Sequence, residues 1–269
     1  MSIASLLKRA TTPEPDRPPS RGRRSRPRKD AAPATGAPGK LRRVLRLGGK
    51  AVLWFLAITV GWVLLYRFVP PPLTSLMAVR YIGAGPAHRK LVRDWTPYDK
   101  ISKELALAVI ASEDQRFLDH HGFDYADIRK AIEQSQQGER LRGASTISQQ
   151  VAKNCFLWPS RSWVRKGFEV YFTVLVELLW SKQRILEMYL NVAEMGPGIY
   201  GAQSAAQTYF HKDAKAVTRA EAALLAATLP NPVYYSSAKP QPHVRARQEW
   251  ILDQMGHLGG TSFLKSLED

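Results

Sequence analysis

WVRKGFEVYFTVLVELLW, residues 163–180, is the stretch on which the fold reading turns. It is too long and too continuously apolar for a strand, so it reads as one long helix. The next segment, KQRILEMYLNVAEM (182–195), reads as another helix. Toward the N-terminus, residues 145–156 form a helix entered through Gly143, and 124–136 a weaker one. Residues 99–119 carry Leu105, Ala108, Val109 and Ser112 at helical spacing. Toward the C-terminus, 200–210 and 218–228 are Ala-rich helices, the latter ended by Pro230 and Pro232, and 243–257 is the last. No segment alternates convincingly and no internal repeat is present. The expected class is mainly α.

The whole chain has 269 residues, 45% hydrophobic and 23% charged, which suits one ordinary core or two small ones. A disordered chain, a collagen-like repeat and a disulfide scaffold are excluded. Cys155 is the only cysteine, so neither an intramolecular disulfide nor a cysteine-cluster metal site can form. The net charge of +16 is concentrated at one end: residues 1–50 hold 14 Lys and Arg against 3 Asp and Glu. Residues 11–40, rich in Pro, Gly, Ala and Arg, are expected to be disordered. The run Arg21, Arg23, Arg24, Arg26 and Arg28 suits nucleic acid or anionic lipid. The apolar run that begins at residue 51 favours lipid.

AVLWFLAITVGWVLLY (51–66) carries no charge, and Phe68 and Val69 extend the run past Arg67. A membrane span takes about 17–25 residues, and an Arg near its end can snorkel to the interface. Trp54, Trp62 and Tyr66 suit the interfacial belt, and Pro70, Pro71 and Pro72 stop the helix. A cleaved signal peptide fits poorly, because a basic region of about 50 residues precedes the apolar run and no small-x-small site comes directly after it. Lys40, Arg42, Arg43, Arg46 and Lys50 then place the N-terminus in the cytoplasm. The expected organisation is a basic tail (1–46), a transmembrane helix (47–69) and one extracytoplasmic domain (70–269).

Within that domain Glu113 stands four residues after Val109 and four before Phe117. On an apolar helix side its pKa would rise into general acid/base range; the alternative is a surface carboxylate. His120 and His121, in DQRFLDHHGFD (114–124), lack the i, i+4 spacing of a zinc pair, and a turn at His121-Gly122 is the better reading. GASTISQQVAKN (143–154) offers Ser145 as an N-cap, with Gln149 and Lys153 on one face. That stripe suits a phosphate or sugar, or is an ordinary solvated face. RSWVRKGFE (161–169) sets Arg161, Arg165 and Lys166 beside Glu169, as for a polyanion or for surface ion pairs.

In this order, ASEDQRFLDHHGFD, GASTISQQVAKN, RKGFE and KQRILEMYLNVAEMGPGIYG, followed by AAQTYFHKDAKAVTRAEAALLAATLPNP, resemble the peptidoglycan glycosyltransferases, family 51 of the glycosyltransferases. The resemblance runs from about residue 85 to 255; the anchor, short outer domain and basic tail are similar to its monofunctional Gram-negative type. It implies a lysozyme-like helical fold that polymerises lipid II into glycan strands at the cell inner membrane, with the catalytic domain in the periplasm. By resemblance, Glu113 is the general base and Glu169 the second acid, at the pyrophosphate end, with a divalent cation (magnesium or manganese) near it. Ser145, Gln149, Lys153 and Asn154 match the second motif, and Lys153, Arg161, Arg165 and Lys166 neutralise the diphosphate. Partners so implied are lipid II, the nascent strand, the membrane and other cell-wall synthesis or divisome proteins, but no nucleic acid. Ser148 stands where Thr is common and Cys155 where an aromatic is frequent.

Two other readings bear weighing. A peptidoglycan-cleaving enzyme would share the fold and one Glu, but has no need of the cations at 153–166. A non-catalytic scaffold would need neither acid. Ser-x-x-Lys patterns occur at Ser5–Lys8, Ser236–Lys239 and Ser262–Lys265, but no Lys-Thr-Gly accompanies them, so transpeptidase activity is not expected.

Overall fold

The computed structural model describes residues 38–83, 90–136, 145–160 and 162–267. The chain separates into residues 1–50 and 51–269, and the second unit holds every element except the start of the first helix. Ten α-helices are described: α1 (Pro38–Phe68), α2 (Ser75–Gly83), α3 (Lys103–Glu113), α4 (Tyr125–Gln136), α5 (Ile147–Phe156), α6 (Trp163–Leu179), α7 (Lys182–Val192), α8 (Ala202–Phe210), α9 (Arg219–Thr228) and α10 (Pro242–His257). Short 3₁₀ turns lie at Tyr98–Lys100 and Ala214–Ala216, and a longer one at Gly260–Leu267. A three-stranded sheet, β1 (Val92–Arg93), β2 (Glu194–Gly196) and β3 (Ile199–Tyr200), has the order β1-β3-β2. β1 runs parallel to β3, with Val92 opposite Ile199, and β2 pairs antiparallel with β3.

The mainly helical class is as expected, and the sheet is the addition. Strands of two or three residues are too short to show a period in sequence. They also trim two expected helices. The helix expected over 182–195 stops at Val192, just before β2 begins at Glu194. The one expected from 200 starts at Ala202, after Gly201 at φ 86°. A side chain at 201 would meet the Asn191 carbonyl oxygen at 2.8 Å, so glycine is needed there on both counts. The helix expected over 99–119 is the shorter α3, ended by Asp114 at φ −163°, ψ 75°. Sequence reasoning missed α2 and the turn at 260–267.

The core forms where α3 packs against α9, α10 and the 260–267 turn, and where α5 packs against α6 and α7. Every residue of α3 from Leu105 to Ala111 is buried, so this helix is apolar all round rather than amphipathic. Its C-terminus therefore delivers Glu113 from the centre of the molecule to the edge of the core.

The helix α1 begins at Pro38, so residues 38–46, assigned to the tail by sequence, are helical; residues 1–37 lie outside the described set. Residues 42–68 are long and apolar enough to cross a membrane. The second half of α1 also packs on the outer domain. The Thr59 hydroxyl is 2.6 Å from the Tyr171 hydroxyl, and Phe55 packs against Phe168 and Tyr171. Trp180 Nε1 donates to the Val63 carbonyl at 2.9 Å, and Arg184 Nη2 to that of Tyr66 at 2.7 Å. Trp62 packs edge-on against Phe156 and Tyr66 stacks on it, whereas Trp54 is 70% exposed.

Candidate active site

Glu113 is the last residue of α3, so its spacing to Phe117 is not a helical one. Gln150 Nε2, on the first turn of α5, donates to Glu113 Oε2 at 2.8 Å. The buried Tyr189 hydroxyl donates to Gln150 Oε1 at 3.4 Å, which orients the amide. Burial raises the Glu113 pKa above the ordinary carboxylate value, with Asp114 adding to the rise. Gln150, Arg247 and Lys153 oppose it. The result is a carboxylate biased toward accepting a proton.

The neighbouring residue locks this geometry. Asp114 Oδ2 accepts from the Ile147 backbone N–H at 3.0 Å, which ties the end of α3 to the start of α5. Asp114 Oδ1 lies 2.8 Å from His120 Nε2. The turn expected at His121-Gly122 is present, with Gly122 at φ 88°; His120 is buried and His121 exposed. Thr146, not Ser145, caps α5: its hydroxyl accepts from the Gln149 N–H at 3.2 Å and donates to the Gly122 carbonyl at 2.7 Å. Gln149 Oε1 returns the bond to the Thr146 N–H at 3.0 Å, a capping box.

Two cavities flank α5. One, of about 980 Å³, is lined by Glu113, Ser145, Gln150 and Arg247. The other, of about 1480 Å³, is lined by Lys153, Asn154 and Arg165 together with apolar Leu76, Val79, Leu157 and Trp158. Gln150 and Lys153 are three residues apart on α5, so one helical turn separates the two chemistries. Lys153 reaches cavity space, yet the protein around it strips enough water from the ammonium to lower its pKa; Glu169 opposes this.

Glu169 is buried, and its two oxygens are both taken: Arg165 Nη1 donates to Oε2 at 2.6 Å and the Lys166 ammonium to Oε1. Arg165, rather than Glu169, forms the cavity wall. Glu169 therefore holds two cations in place. These residues do not fit a divalent cation, because the single carboxylate is already neutralised and the remaining neighbours are cationic. Among the described residues, Asp114, His120 and Asp124 bring ligand atoms within 4.8 Å of one another. There Asp124 Oδ1 accepts from the N–H groups of Ala126 and Asp127 and from Arg116, and so caps α4.

Of the residues singled out by sequence, Lys153, Asn154 and Arg165 share one cavity and Glu113 and Ser145 the other. Gln149 is spent on the cap, Lys166 on Glu169, and Arg161 lies outside the described residues. Sequence reasoning missed Tyr189 and Arg247, and it noted Gln150 in the polar motif without giving it a role. Gln150 adjoins Gln149 in the quoted motif, and its spacing to Lys153 was a usable signal. Arg247, whose Nη2 donates to the Ser112 carbonyl at 3.3 Å, had no local one.

A helical fold with one partly desolvated carboxylate, beside a cationic cavity with apolar walls, is the arrangement of a glycosyl-transfer enzyme class. A family model described as Transglycosylase matches residues 81–256, well over half of the chain. A relative from Pseudomonas aeruginosa, named biosynthetic peptidoglycan transglycosylase, is 50% identical over 230 residues, 85% of this chain and 99% of its own length. Namesakes from Pseudomonas entomophila (50% over 230 residues, 85% and 98%) and Xanthomonas axonopodis pv. citri (52% over 241 residues, 88% and 96%) are similar to it to the same degree. The chain belongs to the transglycosylase family.

Proposed function

We propose that this protein is a peptidoglycan glycosyltransferase that polymerises lipid II into linear glycan strands. The observation that carries the reading is the placement of Glu113 and Lys153 on either side of one turn of α5, each opening into its own cavity. The carboxylate of Glu113 takes the proton from the acceptor 4-hydroxyl. The freed oxygen attacks the donor anomeric carbon from the face opposite the diphosphate, and the carbon inverts through an oxocarbenium-like transition state. The carbon–oxygen bond to the diphosphate breaks, and its electron pair leaves with the diphosphate.

Lys153 and Arg165 neutralise that charge, with Asn154 beside them; Lys166 and Glu169 hold Arg165 in position. Ser145 contacts the sugar side, Gln149 keeps α5 in register, and Arg161 adds charge at the diphosphate. The leaving group is already a good one, so electrostatic stabilisation takes the place of a general acid. The apolar wall of Leu76, Val79 and Leu157 receives the first lipid units. The protein is a single-pass inner-membrane protein, with residues 1–50 cytoplasmic and the catalytic domain periplasmic, as the cations before the span direct.

Purified protein in detergent, given labelled lipid II, is expected to produce a ladder of glycans. Lys153→Ala should lower kcat/KM by about 10- to 100-fold, expressed mainly in use of the diphosphate donor. Absence of a ladder from folded wild type, with shortening of added glycan instead, would replace this reading with a hydrolytic one.

A further inference from the structure

Lys182 and Glu177 form an ion pair in the domain interior that takes no part in the steps above. Lys182, the first residue of α7, places its ammonium 2.9 Å from Glu177 Oε1, near the end of α6. Only 19% of the Lys182 side chain and 6% of the Glu177 side chain is exposed, and neither residue lines either cavity. Such a pair is a poor device for stability. Desolvating two charges costs about as much as their attraction returns, and apolar side chains of similar size would hold α6 to α7 as well. What charge-assisted hydrogen bonds add is direction, because they fix where particular atoms lie.

The atoms fixed here belong to the supports of the site. The Lys182 ammonium donates to the His120 carbonyl at 2.6 Å and lies 4.5 Å from the centroid of the Phe117 ring. Both residues are in the turn that follows Glu113. Glu177 Oε1 also accepts from the Ser148 hydroxyl, on the first turn of α5. The turn backs closely onto α6 at this point: a side chain at Gly122 would meet Thr173 Cγ2 at 2.8 Å and Glu177 Cγ at 3.0 Å. The segments that carry Glu113 and Gln150 are tied to each other by Asp114 with the Ile147 N–H, and by Thr146 with the Gly122 carbonyl. The ion pair ties both of them to α6 and α7. We propose that Lys182 is a positioning residue for the base: with Glu177 it holds the 114–122 turn, and so Glu113, in register with Gln150 on α5, without touching substrate. This rests on Glu113 acting as proposed above. A displacement of about 1 Å at a reacting group can cost on the order of 100-fold in rate, so the effect falls on turnover and not on lipid II binding.

Two variants of the full chain test this on labelled lipid II, with Tm measured alongside. Lys182→Met keeps the stem and removes the ammonium. Lys182→Met combined with Glu177→Gln removes both charges, so that neither is left buried alone. Lys182→Met should lower Tm and reduce kcat by about 10- to 100-fold, with KM within about twofold of wild type. The double variant should regain most of the lost Tm, because an unpaired buried carboxylate is what costs stability. Its kcat should nevertheless stay down by about 10-fold or more, since the His120 carbonyl still lacks its donor. Recovery of kcat together with Tm in the double variant would show a merely structural pair and overturn the proposal. So would a normal kcat in Lys182→Met, or a loss expressed mainly in KM. Normal polymerisation by Glu113→Gln would instead overturn the role of Glu113 on which the proposal rests.

Discussion

Glu113 acts through a balance of opposed effects on one carboxylate, and that balance is open to measurement. Burial raises its pKa, while the Gln150 amide stabilises the charged form. In the proposed role Glu113 works deprotonated, so activity is expected to fall as pH drops through this raised value. Gln150→Leu removes a group that favours the carboxylate; the pKa rises further and the acidic limb of the kcat/KM profile moves to higher pH. An unmoved limb would take Gln150 out of the base's environment. An alkaline limb is expected from the role proposed for Lys153, which needs its ammonium protonated while burial lowers its pKa. Cys155 belongs to packing alone: it is buried and its thiol is pushed up to about 12. The sequence singled out Glu113 and Lys153 by residue type and motif, but not the groups packed around them. Gln150 and Tyr189 join Glu113 only through the packing of α5 and α7, and no spacing within one segment encodes that.

The element that organises the site is α5, and its N-terminus is the sensitive point. Thr146 closes the capping box and also bonds Gly122. Loss of its hydroxyl removes a cap worth about 1 kcal/mol and a second bond of similar worth. For a domain of this size each kcal/mol shifts Tm by about 2–4 °C, so Thr146→Ala should lower Tm by roughly 4–8 °C. Thr146→Ser, which keeps the hydroxyl, should lose far less; equal losses would show that the methyl group and not the cap matters. Nine of the ten described helices, all but α2, were legible in the sequence. Their ends were less so, because β2, β3 and Gly201 cut α7 and α8 short by tertiary pairing. Phe156 and Leu157 are core while Trp158 and Trp163 are exposed, a division that their shared apolar character does not announce.

Over the whole molecule, the membrane helix is part of the domain's packing as well as its anchor. Phe55, Thr59, Trp62, Val63 and Tyr66 contact α5, α6 or α7, so the segment that reads as lipid-facing has one side committed to protein. A hydropathy pattern cannot separate those sides, since lipid and core select the same residue types. The arrangement keeps the cavity at Lys153 close to this helix: Phe156 and Leu157, which end α5 beside Lys153, belong to the same packed cluster as Val63. Anchoring suits two substrates with lipid tails, because it confines the search to one surface.

Glycan synthesis by wild type and Glu113→Gln protein, assayed side by side with labelled lipid II, tests the central claim most directly. The substitution keeps size and removes the base. The account predicts a long-glycan ladder from wild type and none from Glu113→Gln, with Tm and elution volume unchanged between them; a normal ladder from the folded variant would contradict it.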